Sequence, residues 1–432
     1  MCFILRTLKP TNLSEWLAHV ERLHTREIEL GLDRVRAVYA RLPPLPCPAI
    51  TVAGTNGKGS TTAFLEAIYL AAGYKTGAYF SPHLVRYNER VRIRGREVED
   101  EALCAAFAQV EAARAGVSLT YFEFGTLAAL LLFAEAALDV VILEVGLGGR
   151  LDAVNIIDAA VSIVVSVGTD HKDWLGPDRE TIGREKAGVF RAGRPAVIGF
   201  DVSDSVLNEA IVKGALPLVG NRDFRYTADR QKWRYTGVKG SRDLPYPGLR
   251  GSYQLSNAAC ALAAIDALAA LPVSAGAVRQ GLQNVRLAAR FQHLPGSPRV
   301  ILDVAHNEEA AMTLARALKE QPVAGRTLAV VGMFKDKPIS GVFRALRGSV
   351  DDWFVATLSD PRGAPGAYLE AQLALLQRPA RGVYCDPVTA FKAARAAALV
   401  DDRIVVFGSF KTVGAILEAR AGEGAGGGGK AI

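Results

Sequence analysis

A glycine-rich segment that contains one lysine is where the sequence first indicates chemistry. It reads Gly54-Thr-Asn-Gly-Lys-Gly-Ser-Thr-Thr62, after an apolar run and before a stretch with helical spacing. Glycines let successive backbone N–H groups point towards an anion, the start of a helix adds positive potential, and Lys58 adds a charge. Because Gly59 separates Lys58 from Ser60, the segment departs from the usual GxxxxGK[ST] pattern. A glycine-rich turn that merely caps a helix would leave the lysine unexplained, so we predict a nucleotide phosphate site.

Two polar clusters follow other apolar runs that read as strands. Glu144 closes the run that begins at Val140, and Asp170 and His171 follow the run that ends at Val167. Ligands bind at the carboxyl ends of strands in doubly wound sheets, and a carboxylate beside a phosphate loop is a natural magnesium ligand. We therefore predict that Glu144 binds magnesium, directly or through water. Asp170 and His171, taken singly, fit a turn or a solvated side chain equally well.

The elements that must position these residues are short apolar runs separated by helical segments. The first series of runs covers 49–53, 140–145, 161–167 and 195–198, and the second covers 300–304, 328–332, 353–358 and 404–408. Such alternation predicts an α/β fold, in which a P-loop-type, mainly parallel sheet domain precedes a smaller Rossmann-like α/β domain. We place the boundary near residue 288, which gives domains 1–288 and 289–432.

Four smaller features complete the expected organisation. Apolar residues between Leu13 and Leu23 recur at helical spacing and predict an amphipathic helix. Residues 291–299 read as a hairpin, and residues 221–251 as an irregular insertion. The glycine-rich tail, 421–430, is expected to be disordered.

Composition restricts the classes of partner. Half of the 432 residues are hydrophobic and 22% are charged, and we find no apolar run of membrane-spanning length, so we expect a cytoplasmic protein. The five cysteines are far apart, which favours reduced thiols. The net charge of +7 lacks the basic and aromatic pattern of nucleic-acid binding, so an anionic small substrate explains it at least as well.

Four motifs taken together closely resemble the bifunctional dihydrofolate synthase/folylpolyglutamate synthase family, which belongs to the Mur ligase superfamily. They lie at 51–60, 81–91, 143–153 and 183–189, and the resemblance continues through Asn257, 290–292, 303–307 and 408–410. Because it covers essentially the whole chain in the family's order, it is far more specific than the phosphate loop alone.

The resemblance implies a ligase that uses ATP and Mg²⁺. ATP would phosphorylate a substrate carboxylate, and the amine of L-glutamate would attack the acyl phosphate. By this resemblance the phosphates would bind Asn56, Gly57, Lys58, Gly59 and Ser60. The metal would bind Ser60, Ser81, Glu144 and His171.

The resemblance also assigns the remaining parts of the site. Asn257 would read adenine, Arg290 and Asp303 would complete the ATP site, and His306 would act in catalysis with Asp303. The alternative for Asn257 is a cap of a helix over 258–265, and for Asn307 a cap of one over 308–318. Dihydropteroate or folate would contact three segments, which comprise Glu29, Leu30, Gly31 and Leu32, then Thr120, Tyr121, Phe122 and Glu123, then Leu151, Asp152 and Ala153. Without the resemblance, Tyr121 and Phe122 read as ordinary core aromatics.

Lys186 lies in the motif at 183–189, where Mur-type ligases carry a carbamate on lysine. The resemblance therefore implies a Lys186 carbamate that holds a second Mg²⁺, whereas a solvated lysine or a direct phosphate contact is the alternative. The sequence departs from the family at Ser60, at Ala289, where glycine is usual, and at Glu308, where proline is common. These changes remove no reacting group but put the geometry of the domain junction in question.

Two rival functions are distinguishable from the sequence. A Mur-type ligase that acts on cell-wall nucleotide precursors would share the chemistry, but the segments at 81–84 and 121–124 favour folate. A nucleotide-dependent switch is disfavoured because the sequence lacks an Asn-Lys-x-Asp guanine signature and has a second α/β unit. The family resemblance favours a monomer.

Overall fold

Two large β-sheets and one small one organise the chain, seen in a computed structural model that describes residues 10–229 and 231–426. The first sheet has eight strands in the order β4-β3-β2-β5-β1-β6-β7-β8. Their bounds are β1 Ala49–Ala53, β2 Thr76–Tyr79, β3 Val91–Ile93, β4 Arg96–Glu97, β5 Val140–Glu144, β6 Val161–Ser166, β7 Pro195–Asp201 and β8 Leu216–Val219. Strands β2, β5, β1, β6, β7 and β8 run parallel, and β3 and β4 extend one edge antiparallel.

Helices cover both faces of this sheet. They are α1 Leu13–Val20, α2 Asp33–Tyr39, α3 Lys58–Ala71, α4 Asp100–Arg114, α5 Tyr121–Glu135, α6 Lys172–Leu175, α7 Arg179–Ala187, α8 Asp204–Val212, α9 Gln254–Ala267 and α10 Ala275–Asn284. In β5, Val141 and Leu143 face one buried cluster, and Val140 and Ile142 face the other. A strand buried on both faces needs an unbroken apolar run, which is the pattern from which it was predicted.

The second sheet has six strands in the order β12-β13-β17-β14-β15-β16. Their bounds are β12 Gln292–Leu294, β13 Arg299–Leu302, β14 Thr327–Val331, β15 Asp352–Ala356, β16 Gly382–Tyr384 and β17 Arg403–Phe407. Five helices pack on it: α11 Glu308–Glu320, α12 Ile339–Leu346, α13 Gly366–Leu375, α14 Pro387–Ala397 and α15 Phe410–Gly426. Only β12 is antiparallel, and with β13 it forms the predicted hairpin. The predicted α/β fold class is therefore confirmed.

The segment at 221–251 is a folded sheet, and the prediction of an irregular insertion is wrong. Strands β9 Arg225–Ala228, β10 Lys232–Gly237 and β11 Gly240–Pro245 form an antiparallel three-stranded sheet. Trp233 and Tyr235 alternate with exposed residues along β10 and are fully buried against the main domain. This period of two is a strand signal that the surrounding glycines and prolines obscure.

At both ends of the described chain, the helices differ from the structure predicted from the sequence. Helix α1 begins after Asn12, whose side chain accepts a hydrogen bond from the Glu15 N–H, and it ends at Val20. Helix α15 continues to Gly426, so residues 421–426 of the tail expected to be disordered are helical; the remainder, 427–430, lies outside the described residues. Among the described helices, none combines the length and apolarity that a membrane crossing requires.

Candidate active site

The carboxyl ends of β1, β2, β5 and β6 meet at one edge of the first sheet and surround a cavity of about 500 Å³. Parallel neighbours point their carboxyl ends the same way, so residues distant in sequence converge there. The second domain forms the opposite wall. The predicted site residues that line this cavity are Asn56, Gly57, Lys58, Gly59, Ser60, Ser81, Glu144, His171, Lys186, Asn257, Arg290, Asp303 and His306.

The phosphate loop turns from β1 into the first turn of α3. Its shape depends on Gly57, which has a φ of 86° and packs so tightly on the Asn257 side chain that a Cβ atom would overlap it. The loop is also tied to β6, because the Asn56 N–H donates to Ser166 Oγ at 3.0 Å. The start of α3 therefore faces the cavity with its N–H groups, as anion binding requires.

Two lysines, the partly buried Lys58 and the buried Lys186, converge on the backbone of this loop. Lys58 Nζ donates to the carbonyls of Gly54 at 3.0 Å and Thr55 at 3.2 Å, and Lys186 Nζ donates to the same Gly54 carbonyl at 3.1 Å. Burial lowers the pKa of Lys58. Burial, assisted by the charge of Lys58, lowers the pKa of Lys186 to about 7. Both ammonium groups thus lack full solvation and are disposed to receive an anion.

Glu144 lies at the end of β5 and is 3% exposed. Its Oε2 accepts a hydrogen bond from the Ser81 N–H at 3.2 Å, and burial raises its pKa, opposed by the charges of Lys58 and Arg290. A Cβ atom on Gly59 would lie 3.3 Å from Arg290 Nη2 and 3.5 Å from Glu144 Oε2, so this glycine keeps the space between them open.

The space beside Glu144 fits a magnesium ion whose coordination would be completed by substrate. Glu144, Ser60 and Ser81 contribute oxygen donors to the cavity wall, which suits Mg²⁺. In the described ranges, no group of three or more His, Cys, Asp or Glu side chains has the geometry of a metal site. Mg²⁺ usually binds only a few protein ligands, and phosphate oxygens and water complete its coordination.

His171 and Asp170 lie in the loop between β6 and α6. His171 has a φ of 55°, a left-handed conformation, and burial lowers its pKa to about 4, which keeps the imidazole neutral and able to bind a metal. The Asp170 carboxylate contacts the second domain through Lys337, Asn307 and His306. The Asp170 side chain is 9% exposed, so the solvated alternative is wrong for it, whereas the His171 side chain is 35% exposed and both residues lie in a loop, as the turn alternative expects.

The second domain contributes charged and aromatic groups. The Arg290 guanidinium lies over the Phe410 ring, 5.3 Å from its centre. The Asp303 carboxylate accepts hydrogen bonds from the Phe291 N–H at 2.9 Å and the Ala305 N–H at 2.8 Å, while burial raises its pKa. The His306 Nδ1 lies 2.7 Å from the Val304 carbonyl, which orients the other ring nitrogen towards the first domain.

The two asparagines considered as helix caps differ. Asn307 caps α11, because its Oδ1 accepts from the Ala310 N–H at 2.9 Å. The alternative of a cap for Asn257 is wrong, since α9 begins at Gln254 and Asn257 lies inside its first turn, where its Nδ2 donates to Gln254 Oε1 at 2.9 Å. Asn257 is therefore positioned by the helix to face the phosphate loop.

The three segments predicted to contact the pterin converge beside the cavity rather than in its wall. Arg34 joins two of them, because it forms ion pairs with Glu29 and with Glu123, the latter at 3.0 Å. Thr120 and Glu123 form a capping box at the start of α5. The third segment enters a short 3₁₀ helix, Ala153–Ile156, which packs against α2 and α5.

Asp152 and two aromatic residues connect this cluster to the main cavity. Asp152 accepts hydrogen bonds from the Leu147 N–H at 2.8 Å and the Val154 N–H at 3.0 Å, and burial raises its pKa to about 6. Phe122 packs on Gly146, in the loop that also lines the cavity. The Tyr121 ring lies 5.6 Å from the Arg90 guanidinium, so both aromatic residues also contribute to packing, as their apolar character indicates.

Three polar residues that the sequence analysis left without a role lie at the domain contact. They are Asp170, Lys337 and Glu309, and Glu309 accepts a hydrogen bond from the Thr169 N–H at 3.0 Å. The position of Asp170 after an apolar strand was a usable signal. Lys337 has no motif of its own, because its partner lies 167 residues away in the chain.

Comparison with known proteins identifies the family. The Mur ligase middle domain matches residues 52–265, and the Mur ligase glutamate ligase domain matches residues 289–410. The dihydrofolate synthase/folylpolyglutamate synthase of Escherichia coli strain K12 is 49% identical over 411 residues, covering 94% of this chain and 95% of the relative.

Solved structures agree in shape over nearly the whole chain. E. coli FolC in complex with DHPP and ADP has a TM-score of 0.91 at 47% identity, covering 96% of this chain and 99% of the other. A bifunctional folylpolyglutamate synthase/dihydrofolate synthase with Mn, AMPPNP and L-glutamate bound has a TM-score of 0.89 at 46% identity, covering 96% and 100%. The cell-wall alternative is supported only at the level of the superfamily. The chain belongs to the dihydrofolate synthase/folylpolyglutamate synthase family of ATP-dependent ligases.

Proposed function

We propose that this enzyme joins L-glutamate to dihydropteroate, and to the γ-carboxylate of folates, through an acyl phosphate made from ATP. Relatives that carry both synthase names, and related structures that hold DHPP, ADP or L-glutamate, support this assignment. The observation on this chain that carries it is the convergence of Lys58, Lys186 and Glu144 at one cavity, beside a cluster of residues suited to a second substrate.

The substrate carboxylate must be activated, because its negative charge repels nucleophiles and because oxide is a poor leaving group. The substrate carboxylate oxygen attacks the γ-phosphorus of ATP, ADP leaves, and the glutamate amine then displaces phosphate from the acyl carbon and loses one proton. Lys58 and the N–H groups at the start of α3 hold the phosphate oxygens, and Arg290 adds positive charge from the domain junction. Ser60, Ser81, Glu144 and His171 would hold Mg²⁺, which when bound would neutralise part of the phosphate charge.

The second domain provides the other half of the site. Asp303 and His306 line the cavity opposite the phosphate loop, and Asn257 and Arg290 flank it. An acyl phosphate hydrolyses in water, so a reaction chamber between two domains protects it. We assign the division of the chain near residue 288 to this arrangement, since residues 285–291 join α10 to β12. One chain supplies every group named, which fits action as a monomer.

Lys186 is proposed to carry a carbamate that binds a second Mg²⁺. A carbamate forms when a neutral amine attacks CO₂ and loses a proton, and Lys186, 4% exposed, has a pKa of about 7. A large neutral fraction is therefore available at physiological pH. The product is a buried anion in place of a buried cation, beside the phosphate loop, where oxygen ligands for a metal are needed.

The alternative role of Lys186 is a direct ammonium contact to phosphate, and an isotope experiment separates the two. Protein incubated with ¹³C-bicarbonate should show a carbamate signal in the carbon NMR spectrum that is absent from Lys186→Ala. Lys186→Ala should lose most activity, and formate or acetate should restore part of it. Normal turnover of Lys186→Ala, or a map with ATP bound that shows a bare ammonium, would contradict the carbamate.

The proposed reaction is tested by product masses. Purified enzyme is incubated with ATP, Mg²⁺ and L-glutamate, and separately with dihydropteroate, with a reduced folate or with a cell-wall nucleotide precursor. We expect one added glutamate on dihydropteroate, further glutamates on folate, and one phosphate released per bond. Product only with the cell-wall precursor would identify the alternative ligase, and ATP hydrolysis without any ligated product would indicate a switch.

A further inference from the structure

The buried carboxylate of Asp170 joins the two domains. Its Oδ1 accepts a hydrogen bond from Lys337 Nζ at 2.8 Å and another from the His171 N–H at 2.8 Å. Its Oδ2 accepts from Asn307 Nδ2 at 3.3 Å and lies 3.5 Å from His306 Nε2. The side chains of Asp170 and Lys337 are only 9% and 5% exposed. One carboxylate of the first domain therefore holds three residues of the second.

These contacts reach both halves of the nucleotide site. Asn307, which Asp170 holds, forms a reciprocal amide pair with Asn56 of the phosphate loop, at 3.2 and 3.1 Å. On the other side, Asp170 directly accepts the N–H of His171, a residue in the left-handed conformation that non-glycine residues avoid. Separation of the domains would remove the partner of the Asn56 side chain, and all partners of Asp170 except the His171 N–H, together.

A purely structural ion pair is the plain alternative. Buried pairs often contribute little net stability, because desolvation of both charges offsets their attraction. What distinguishes this pair is its position, since Asp170 precedes the predicted metal ligand His171 and its partner Asn307 in the second domain contacts the phosphate loop. A merely structural pair would affect folding and leave the chemistry of the folded enzyme unchanged.

We propose that Asp170 and Lys337 form an interdomain latch that positions His171 and the phosphate loop for catalysis when the second domain is docked. Both are positioning residues, because they act through His171 and Asn56. The inference rests on the proposed ligase function, since it assigns the latch to that reaction.

The test uses isosteric neutral substitutions in the full-length enzyme. Lys337→Met, Asp170→Asn and the double variant are compared with Lys335→Met and Asp173→Asn, which alter exposed residues two and three positions from Lys337 and Asp170. We expect each latch variant to lose roughly 10²-fold in kcat, because misplacement by about 1 Å costs that much, while ADP affinity stays within about threefold of wild type. The double variant should be no slower than the slower single variant, because the pair acts as a unit.

A second readout does not depend on activity. Small-angle scattering with Mg²⁺ and AMPPNP should give a larger radius of gyration for Lys337→Met than for wild type and for Lys335→Met. Thermal unfolding verifies that each variant is folded, and Lys337→Gln replaces Lys337→Met if the latter does not fold.

The outcomes separate the two ideas. Latch variants with the kcat and radius of gyration of their controls would overturn the latch, and so would a double variant whose loss equals the product of the single losses. A wild-type enzyme that forms no ligated product would refute the proposed function instead, and the scattering comparison would then still decide whether the pair holds the domains together.

Discussion

The carboxyl edges of the two mainly parallel sheets share an architecture, but the polar groups at these edges lie in different environments. At the first edge, Lys186 and Glu144 are buried and Lys58 is partly buried, and desolvation displaces each pKa towards the neutral form. At the second edge, Asp303 accepts two backbone N–H groups and Asn307 caps a helix. The first edge keeps charges in an unfavourable environment, whereas at the second edge Asp303, whose pKa burial also raises, satisfies two backbone N–H donors and Asn307 stabilises the start of a helix.

This difference indicates a division of labour between the sheets. Groups poised for a polyanionic ligand cost stability until the ligand is bound, and active sites commonly show this trade-off. Groups that satisfy backbone N–H donors stabilise the fold at all times. Neutral replacements should therefore lose activity and gain stability at the first edge, and lose stability at the second.

The largest effect is expected at the phosphate loop. Lys58→Ala and Glu144→Ala should each lower kcat/KM by about 10²- to 10³-fold or more, because each removes a preorganised electrostatic contact. Lys75→Ala, which changes an exposed lysine that precedes β2, is the control. Steady-state ligation assays on folded protein measure the effect, and near-normal activity in either variant would remove that residue from the site.

The buried Lys186 amine should make the free energy of unfolding depend on pH. The pKa of Lys186 is lowered from 10.5 to about 7, so between these values the unfolded chain binds a proton that the folded enzyme does not. The free energy of unfolding should consequently rise with pH across this window, by up to about 1.4 kcal/mol per pH unit from this residue.

Lys186→Met should flatten that rise and be more stable than wild type near pH 7, although inactive. Denaturant unfolding in buffer depleted of CO₂ measures the slope without interference from carbamate formation. Lys172→Met, at an exposed position, should retain the wild-type slope. An unchanged slope in Lys186→Met would show that this amine titrates normally in the folded enzyme.

The second edge should respond in the opposite direction. Asn307→Ala removes the cap of α11 and should lower the free energy of unfolding by about 1 kcal/mol. Asn307→Ser retains a capping oxygen and should recover most of that stability. Urea denaturation compares them, and equal stability of the alanine and serine variants would show that the cap is not what Asn307 contributes.

The smallest effect is expected at the junction between the sheets. Ala289, where the family usually has glycine, has a φ of 56° and is fully buried. Ala289→Gly should raise the free energy of unfolding by about 0.5–1 kcal/mol, because glycine adopts this conformation without steric cost. Ala288→Gly, in the same segment, should be destabilising, and a similar loss in Ala289→Gly would mean that the backbone there is not strained.

The functional residues at the strand ends were largely predictable from the sequence, because short apolar runs mark buried parallel strands. Glu144 and Lys58 could be assigned to one edge of a sheet from the sequence alone, and the structure brings them to the same cavity. The three-stranded sheet around Trp233 was missed, since its strands are short and separated by glycine and proline. The alternative role of Asn257 as a cap was wrong because α9 begins four residues earlier than its apolar pattern indicates.

The sequence alone determined the order of the α/β units, the phosphate loop and the family, because these depend on local spacing and on motifs that are contiguous in the chain. Only the tertiary structure decided how the Lys186 amine is solvated and that Asp170 meets Lys337, residues separated by 167 positions. Burial and contact between distant segments depend on how both sheets pack, and local residue patterns carry no record of that packing.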